Sequence, residues 1–81
     1  MYYTYILYSE KFDRYYVGHC EDLIKRLDRH NRKMVPSTKN YTPWILAYSE
    51  SYPTRQEANA RELYIKSMKS RKFIESLINK K

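Results

Sequence analysis

Two runs of β-branched and aromatic residues, separated by a short polar stretch, commit the first quarter of this chain to a hairpin. Tyr2 to Tyr8 contains no Gly, Pro, Asp or Asn, and Arg14 to Gly18 resumes the pattern after Ser9 to Asp13. Runs of that composition read as strands, and a connection this short pairs them antiparallel. Side chains alternate between faces, so Tyr3, Tyr5 and Leu7 share one face, and Tyr5 and Tyr16 can lie together on it. The connection has no glycine, which leaves its turn type open.

The 81 residues hold one domain, 1–81, with a modest core and no room for a second module. A domain this small buries only about 60% of the surface its unfolded chain exposes, so a few large side chains must fill the core. Ten tyrosines, two phenylalanines and one tryptophan supply that area. Cys20 is the single cysteine, which excludes an internal disulfide and a thiolate metal cage and points to a reducing, cytoplasmic compartment. No signal-like segment opens the chain and no apolar stretch nears the roughly 20 residues that span a bilayer. The expectation is a soluble protein with no membrane contact.

Lys and Arg number 16 against 9 Asp and Glu, a formal net charge of +7. The excess is uneven: residues 1–20 balance, 21–50 carry +2 and 51–81 carry +5. A field of that sign gathers polyanions and gives salt-dependent binding to phosphate backbones, without specifying DNA or RNA. The plain alternative is a merely soluble basic surface.

Asp22 can cap a helix from Leu23 to about Arg32, with Leu23, Ile24 and Leu27 as its core-facing stripe. Arg26 and His30, four apart, project from the same side of it and can act on one ligand. Lys33 to Pro43 lacks periodicity and reads as a loop, in which Lys39, Asn40 and Tyr41 could touch nucleic acid. Trp44 to Tyr52 makes a third strand ended by Pro53. Thr54 and Glu57 form a capping box that opens a helix to about Lys69, and Ser70 can cap a last helix with the stripe Phe73, Ile74, Leu77 and Ile78.

Ala58, Ile65 and Met68 are expected to face the core along the second helix, which leaves Glu62 half buried at the edge of that stripe. A partly desolvated carboxylate needs a cation or a donor, and a divalent metal or a neighbouring base would serve. An ordinary i,i+4 ion pair between Glu62 and Lys66 is the alternative. Packing aromatics and a helix-surface histidine are the corresponding alternatives for Tyr5, Tyr16 and His30.

In this order these residues resemble the GIY-YIG nuclease family. Thr4-Tyr5-Ile6-Leu7 is similar to its first strand motif, Tyr16-Val17-Gly18 to its second, Asp22-Leu23-x-x-Arg26-x-x-x-His30-Asn31 to the helix that follows, and Glu57-Ala58-x-x-Arg61-Glu62-x-x-Ile65-Lys66 to its acidic helix. The similarity runs from Tyr2 to about Ile78 and is greatest to short, stand-alone bacterial members. It implies an α+β fold, a small three-stranded, mainly antiparallel sheet flanked by three helices in the order β-β-α-β-α-α, in agreement with the elements above.

The resemblance also implies metal-assisted endonucleolytic hydrolysis of phosphodiesters, with DNA as the expected substrate, possible selectivity for structures met in repair or recombination, and a monomer or weak dimer. Glu62 would hold one Mg²⁺ or Mn²⁺, which would stabilise the leaving 3′ oxygen. Arg26 would offset charge on the phosphate, Tyr5 would help deprotonate the attacking water, Tyr16 would bond to the phosphate or orient Tyr5, and His30 would accept or relay the proton. Gly18, the only glycine, would let the backbone leave the strand sharply or approach the phosphate closely. Lys66 and Lys69 join the loop residues as nucleic-acid contacts.

Two positions depart from the family pattern: Cys20 replaces a Thr or Ser, and the Asn of larger members' last helix is missing, Asn79 being the only late one. A non-catalytic basic module with the same fold, which binds nucleic acid without cleaving it, is the second expectation. A protein-interaction domain displaying tyrosines is the third.

Overall fold

The expected hairpin forms, and the residue that turns it is Asp13. The computed structural model describes residues 1–79. In it β1 (Tyr2–Ser9) pairs antiparallel with β2 (Arg14–Cys20), and Asp13 takes the positive φ of 54° that a glycine would otherwise supply. Short polar residues tolerate that conformation. Arg71 then holds Asp13 through its guanidinium, and Tyr8 donates to the same carboxylate at 2.8 Å.

β3 (Ile45–Tyr52) pairs antiparallel with the other side of β1, so the order is β2-β1-β3 and the first strand is central. Three helices complete the chain: α1 (Leu23–Asn31), α2 (Arg55–Ser67) and α3 (Arg71–Ile78). Each starts at its expected cap, with Asp22, Thr54 and Ser70 accepting from the backbone N–H of Lys25, Glu57 and Phe73 at 3.0, 3.2 and 3.1 Å. A side-chain oxygen there satisfies one of the donors a helix start leaves unpaired. Cap formation at Asp22 makes the hydroxyl missing at Cys20 unnecessary for placing α1.

The sheet separates two apolar clusters. One face carries Tyr5, Leu7, Cys20 and Trp44, with Leu23 and Leu27 of α1 packed on them. The other carries Ile6 and Val17 against Ile65 of α2 and Leu77 of α3. Thr4 donates to the Ala58 carbonyl at 2.8 Å and pins α2 to β1 on that second face.

Two expected core positions are corrected. Ile24 is 82% exposed because α1 presents Leu23, Leu27 and His30, spaced i, i+4 and i+7, to the sheet, and Ile24 points off that stripe. Met68, 42% exposed, lies at the helix end rather than on the buried line of Ala58 and Ile65. Among the described residues no helix is long and apolar enough to cross a membrane.

Candidate active site

On the α1 face of the sheet Tyr5, Tyr16 and His30 form an aromatic triangle. Ring centroids lie 6.4 Å apart for Tyr5 and Tyr16, 5.9 Å for Tyr5 and His30, and 5.0 Å for Tyr16 and His30. The hairpin register produces the tyrosine pair, since Tyr5 faces Gly18 and Leu7 faces Tyr16 across the ladder. The helical spacing of Arg26 and His30 delivers the rest.

His30 is a buried residue, not a helix-surface histidine. Its Nδ1 lies 2.7 Å from the Thr38 hydroxyl, which itself donates to the Val35 carbonyl, so the imidazole carries its proton on Nδ1. That leaves Nε2 to accept from the Tyr5 hydroxyl at 3.0 Å. Thr38 is held in turn by the loop: its carbonyl accepts from the Trp44 indole at 3.1 Å, and Asn31 bonds both backbone groups of Trp44 at 2.6 and 2.9 Å. Thr38 carried no signal in the sequence because its partner is a helix residue met only through the loop's path.

Burial, with Arg26 and Arg29 adding to it, pulls His30 down from 6.5 to about 4. A histidine held neutral in the fold charges first in the unfolded chain, so stability is level above about pH 6.5 and falls as the pH drops from there toward 4. The loss amounts to about 3 kcal/mol once the pH is below both values. Thermal melts between pH 7 and 4.5 should show this decline, and a His30→Gln variant should flatten it. A wild-type melting temperature constant over that range would contradict the burial.

The Tyr5 phenol is pushed well above its ordinary range, first by burial and then by the neighbouring Tyr16, while Arg26 beside it acts in the opposite direction. Tyr5 is 1% exposed, whereas Tyr16 is half buried and keeps access to solvent. Arg26 is also half buried, at the border between the aromatic triangle and water.

Gly18 serves a different purpose from the one expected. It lies inside β2 without a positive φ, and a Cβ there would come within 2.6 Å of the Tyr5 hydroxyl and 3.1 Å of the Tyr16 ring. The missing side chain is the space the Tyr5 phenol occupies. Gly18→Ala should therefore displace a buried ring and cost about 1–3 kcal/mol, the range typical of overpacking, read as a lower denaturation midpoint. An unchanged midpoint would show that the ring moves freely.

Glu62 stands on α2, beyond the sheet from these groups, and reaches the open edge of β2. Its Oε1 accepts from Nδ1 of His19 at 2.6 Å and its Oε2 from the Lys66 ammonium at 2.5 Å. The Lys66 nitrogen also sits 5.8 Å from the Tyr16 ring centroid. Lys66 thus links acid and phenol around the edge strand. The i,i+4 pair between Glu62 and Lys66 is real, and His19 is a partner sequence reasoning missed. Its signal was available: the residue after Gly18 alternates to the face on which α2 packs.

A divalent ion is what GIY-YIG nucleases generally use. Among the described residues no cluster of three or more His, Cys, Asp or Glu could cage one. A single carboxylate suits Mg²⁺ nevertheless, because that ion keeps most of its waters and takes further oxygen from phosphate. Such a role for Glu62 would require Lys66 to leave its Oε2.

The remaining expected contacts scatter. Tyr41 is half buried against the Leu7 and Trp44 cluster, with the Arg14 guanidinium 4.3 Å from its ring centroid; Lys39 and Asn40 are exposed beside it. Lys69 is exposed in the turn between α2 and α3, and Asn79 caps the end of α3, away from the aromatic triangle. The charge is redistributed too. Arg61, Lys66 and Arg71 of the basic C-terminal third pair with Glu50, Glu62 and Asp13 or Glu75, and Lys80 and Lys81 lie outside the described residues. Lys25, Arg26 and Arg29 of α1 enter no ion pair among the described residues.

The signature described as the GIY-YIG catalytic domain matches residues 1–75. The chain is 36% identical over 75 residues to the UPF0213 protein YazA of Bacillus subtilis (strain 168), covering 88% of this chain and 76% of that protein. It is 40% identical over 53 residues to a UPF0213 protein of Staphylococcus aureus (strain Mu3 / ATCC 700698), covering 64% of this chain and 65% of that one. Among solved structures, the solution NMR structure of the UPF0213 protein BH0048 from Bacillus halodurans superposes with a TM-score of 0.61 at 29% identity, over 100% of this chain and 86% of that chain.

Proposed function

From the premise that this chain belongs to the GIY-YIG catalytic domain family, we propose that it is a metal-dependent endonuclease that hydrolyses phosphodiester bonds in DNA. The observation that carries the reading is the convergence of half-buried Tyr16 and Arg26 on the buried Tyr5–His30 pair at one face of the sheet, with Glu62 at the adjoining strand edge. Packing alone does not call for a guanidinium with no carboxylate partner among the described residues at the border of a buried tyrosine–histidine pair.

In this reading the scissile phosphate lies over Tyr16, with Arg26 donating to a non-bridging oxygen. Glu62 would hold a divalent ion, which when bound would supply Lewis-acid stabilisation of the phosphate and of the leaving oxygen. Because Tyr5 is buried, this reading gives the proton-accepting role to Tyr16, the phenol a water can reach. Tyr5 then positions: bonded to His30 and beside Arg26, it fixes the guanidinium. Neutral His30 holds Tyr5 and does not relay a proton through solvent.

A specific observation favours the second reading, a binding module without catalysis: both oxygens of Glu62 are already engaged by His19 and Lys66. Purified protein incubated with labelled branched, nicked, single-stranded and duplex DNA in Mg²⁺ or Mn²⁺ separates the two. Cut products that vanish with EDTA support the nuclease. Salt-dependent binding with no product on any substrate would leave the module.

A further inference from the structure

Beside Arg26 the surface opens into a hollow of about 240 Å³ lined by Cys20, Lys25, Arg26, Arg29 and Arg55 together with Glu21 and Asp22. Cations outnumber carboxylates there, and both carboxylates are occupied: Asp22 caps α1 by accepting from the Lys25 N–H at 3.0 Å, and Glu21 lies 3.9 Å from Arg55. The buried Cys20 thiol is shifted upward, chiefly by desolvation, so it adds no negative charge at neutral pH. Two segments distant in sequence, the outer side of α1 and the first residue of α2, meet to make the hollow.

We propose that this hollow is a second phosphate subsite, which holds the phosphodiester next along the strand from the one placed over Tyr16. The inference rests on the nuclease reading for the position of the first phosphate, but the subsite itself is a binding claim. Arg26 is the hinge of the argument, because it borders the aromatic triangle and lines the hollow as well. Consecutive phosphates held on its two sides would align the strand across the site. Lys25 and Arg29, free of ion pairs among the described residues, lose no partner when they engage an anion, whereas Arg61, Lys66 and Arg71 would have to break theirs. Such contacts read the backbone and not the bases, so the subsite raises affinity for any nucleic-acid strand without selecting a sequence.

Fluorescence anisotropy of a labelled oligonucleotide, titrated in EDTA so that nothing is cut, tests the subsite. The Lys25→Ala/Arg29→Ala double variant is compared with Lys11→Ala/Lys72→Ala, which removes equal charge from the hairpin turn and α3. The first pair should weaken binding about tenfold and make the log–log salt dependence shallower by about one to two, while the control pair changes both far less. Equal effects from the two pairs would reduce the hollow to part of the net charge and overturn the proposal, as would absence of binding by the wild-type chain. A selective effect in a protein that cuts no substrate keeps the subsite and removes the nuclease reading.

Discussion

Arg26→Ala should lower the rate of DNA cleavage by about 100-fold or more while leaving the fold intact. A preorganised donor aimed at charge that develops in the transition state typically contributes that much, because it acts where water is excluded and needs no reorganisation. The half-buried guanidinium makes no ion pair among the described residues, so its removal leaves no carboxylate stranded. Stability should change by less than about 1 kcal/mol, as for surface substitutions that break no network. Arg26→Lys should recover only part of the rate, since an ammonium cannot present two parallel donors to a phosphate. Kinetics on one labelled substrate, with melts of each variant, decide the matter. Full activity in the alanine variant would remove the guanidinium from the site.

Glu62→Ala should abolish metal-dependent cleavage and, in calorimetric titration with Mn²⁺, the binding of the ion itself. Its carboxylate meets His19 and Lys66 at the β2 edge, and no cluster of three or more His, Cys, Asp or Glu among the described residues offers the ion another cage. Glu62→Gln separates structure from chemistry: the amide oxygen still accepts one hydrogen bond from His19 or Lys66, so stability is largely kept while the charge that attracts the ion is gone. Both variants should cut at background level. Cleavage that persists undiminished in either one would mean that the acid, based on the helix beyond the sheet, serves only to tie α2 to His19 and Lys66, and that the tyrosine face works without it.

Helix starts were the most legible features of this chain. Asp22, Thr54 and Ser70 act over three residues, and an interaction that local is written in the order of the residues. The hairpin neighbourhood of Tyr5 and Tyr16 on one face and the helical proximity of Arg26 to His30 are likewise short-range, which is why these side chains could be grouped before any fold was known. Family resemblance added the acid. What misled was burial: Ile24 and Met68 have core-like side chains, but the angle at which a helix meets the sheet decides which of its apolar residues is covered.

Sequence by itself determined the elements and their caps, because periodicity, capping and alternation are properties of neighbours along a chain. Only the tertiary structure decided which phenol meets solvent, why residue 18 has no side chain, what shares Glu62 and where free positive charge lies. Tyr5 is buried by Gly18 across the ladder and by His30 from α1, Glu62 is met by His19 from a strand, and Arg61 and Arg71 of the C-terminal third pair with acids up to 58 residues away. Such pairings depend on distances in space that linear order does not encode, and they separate a list of reactive residues from an arrangement able to act.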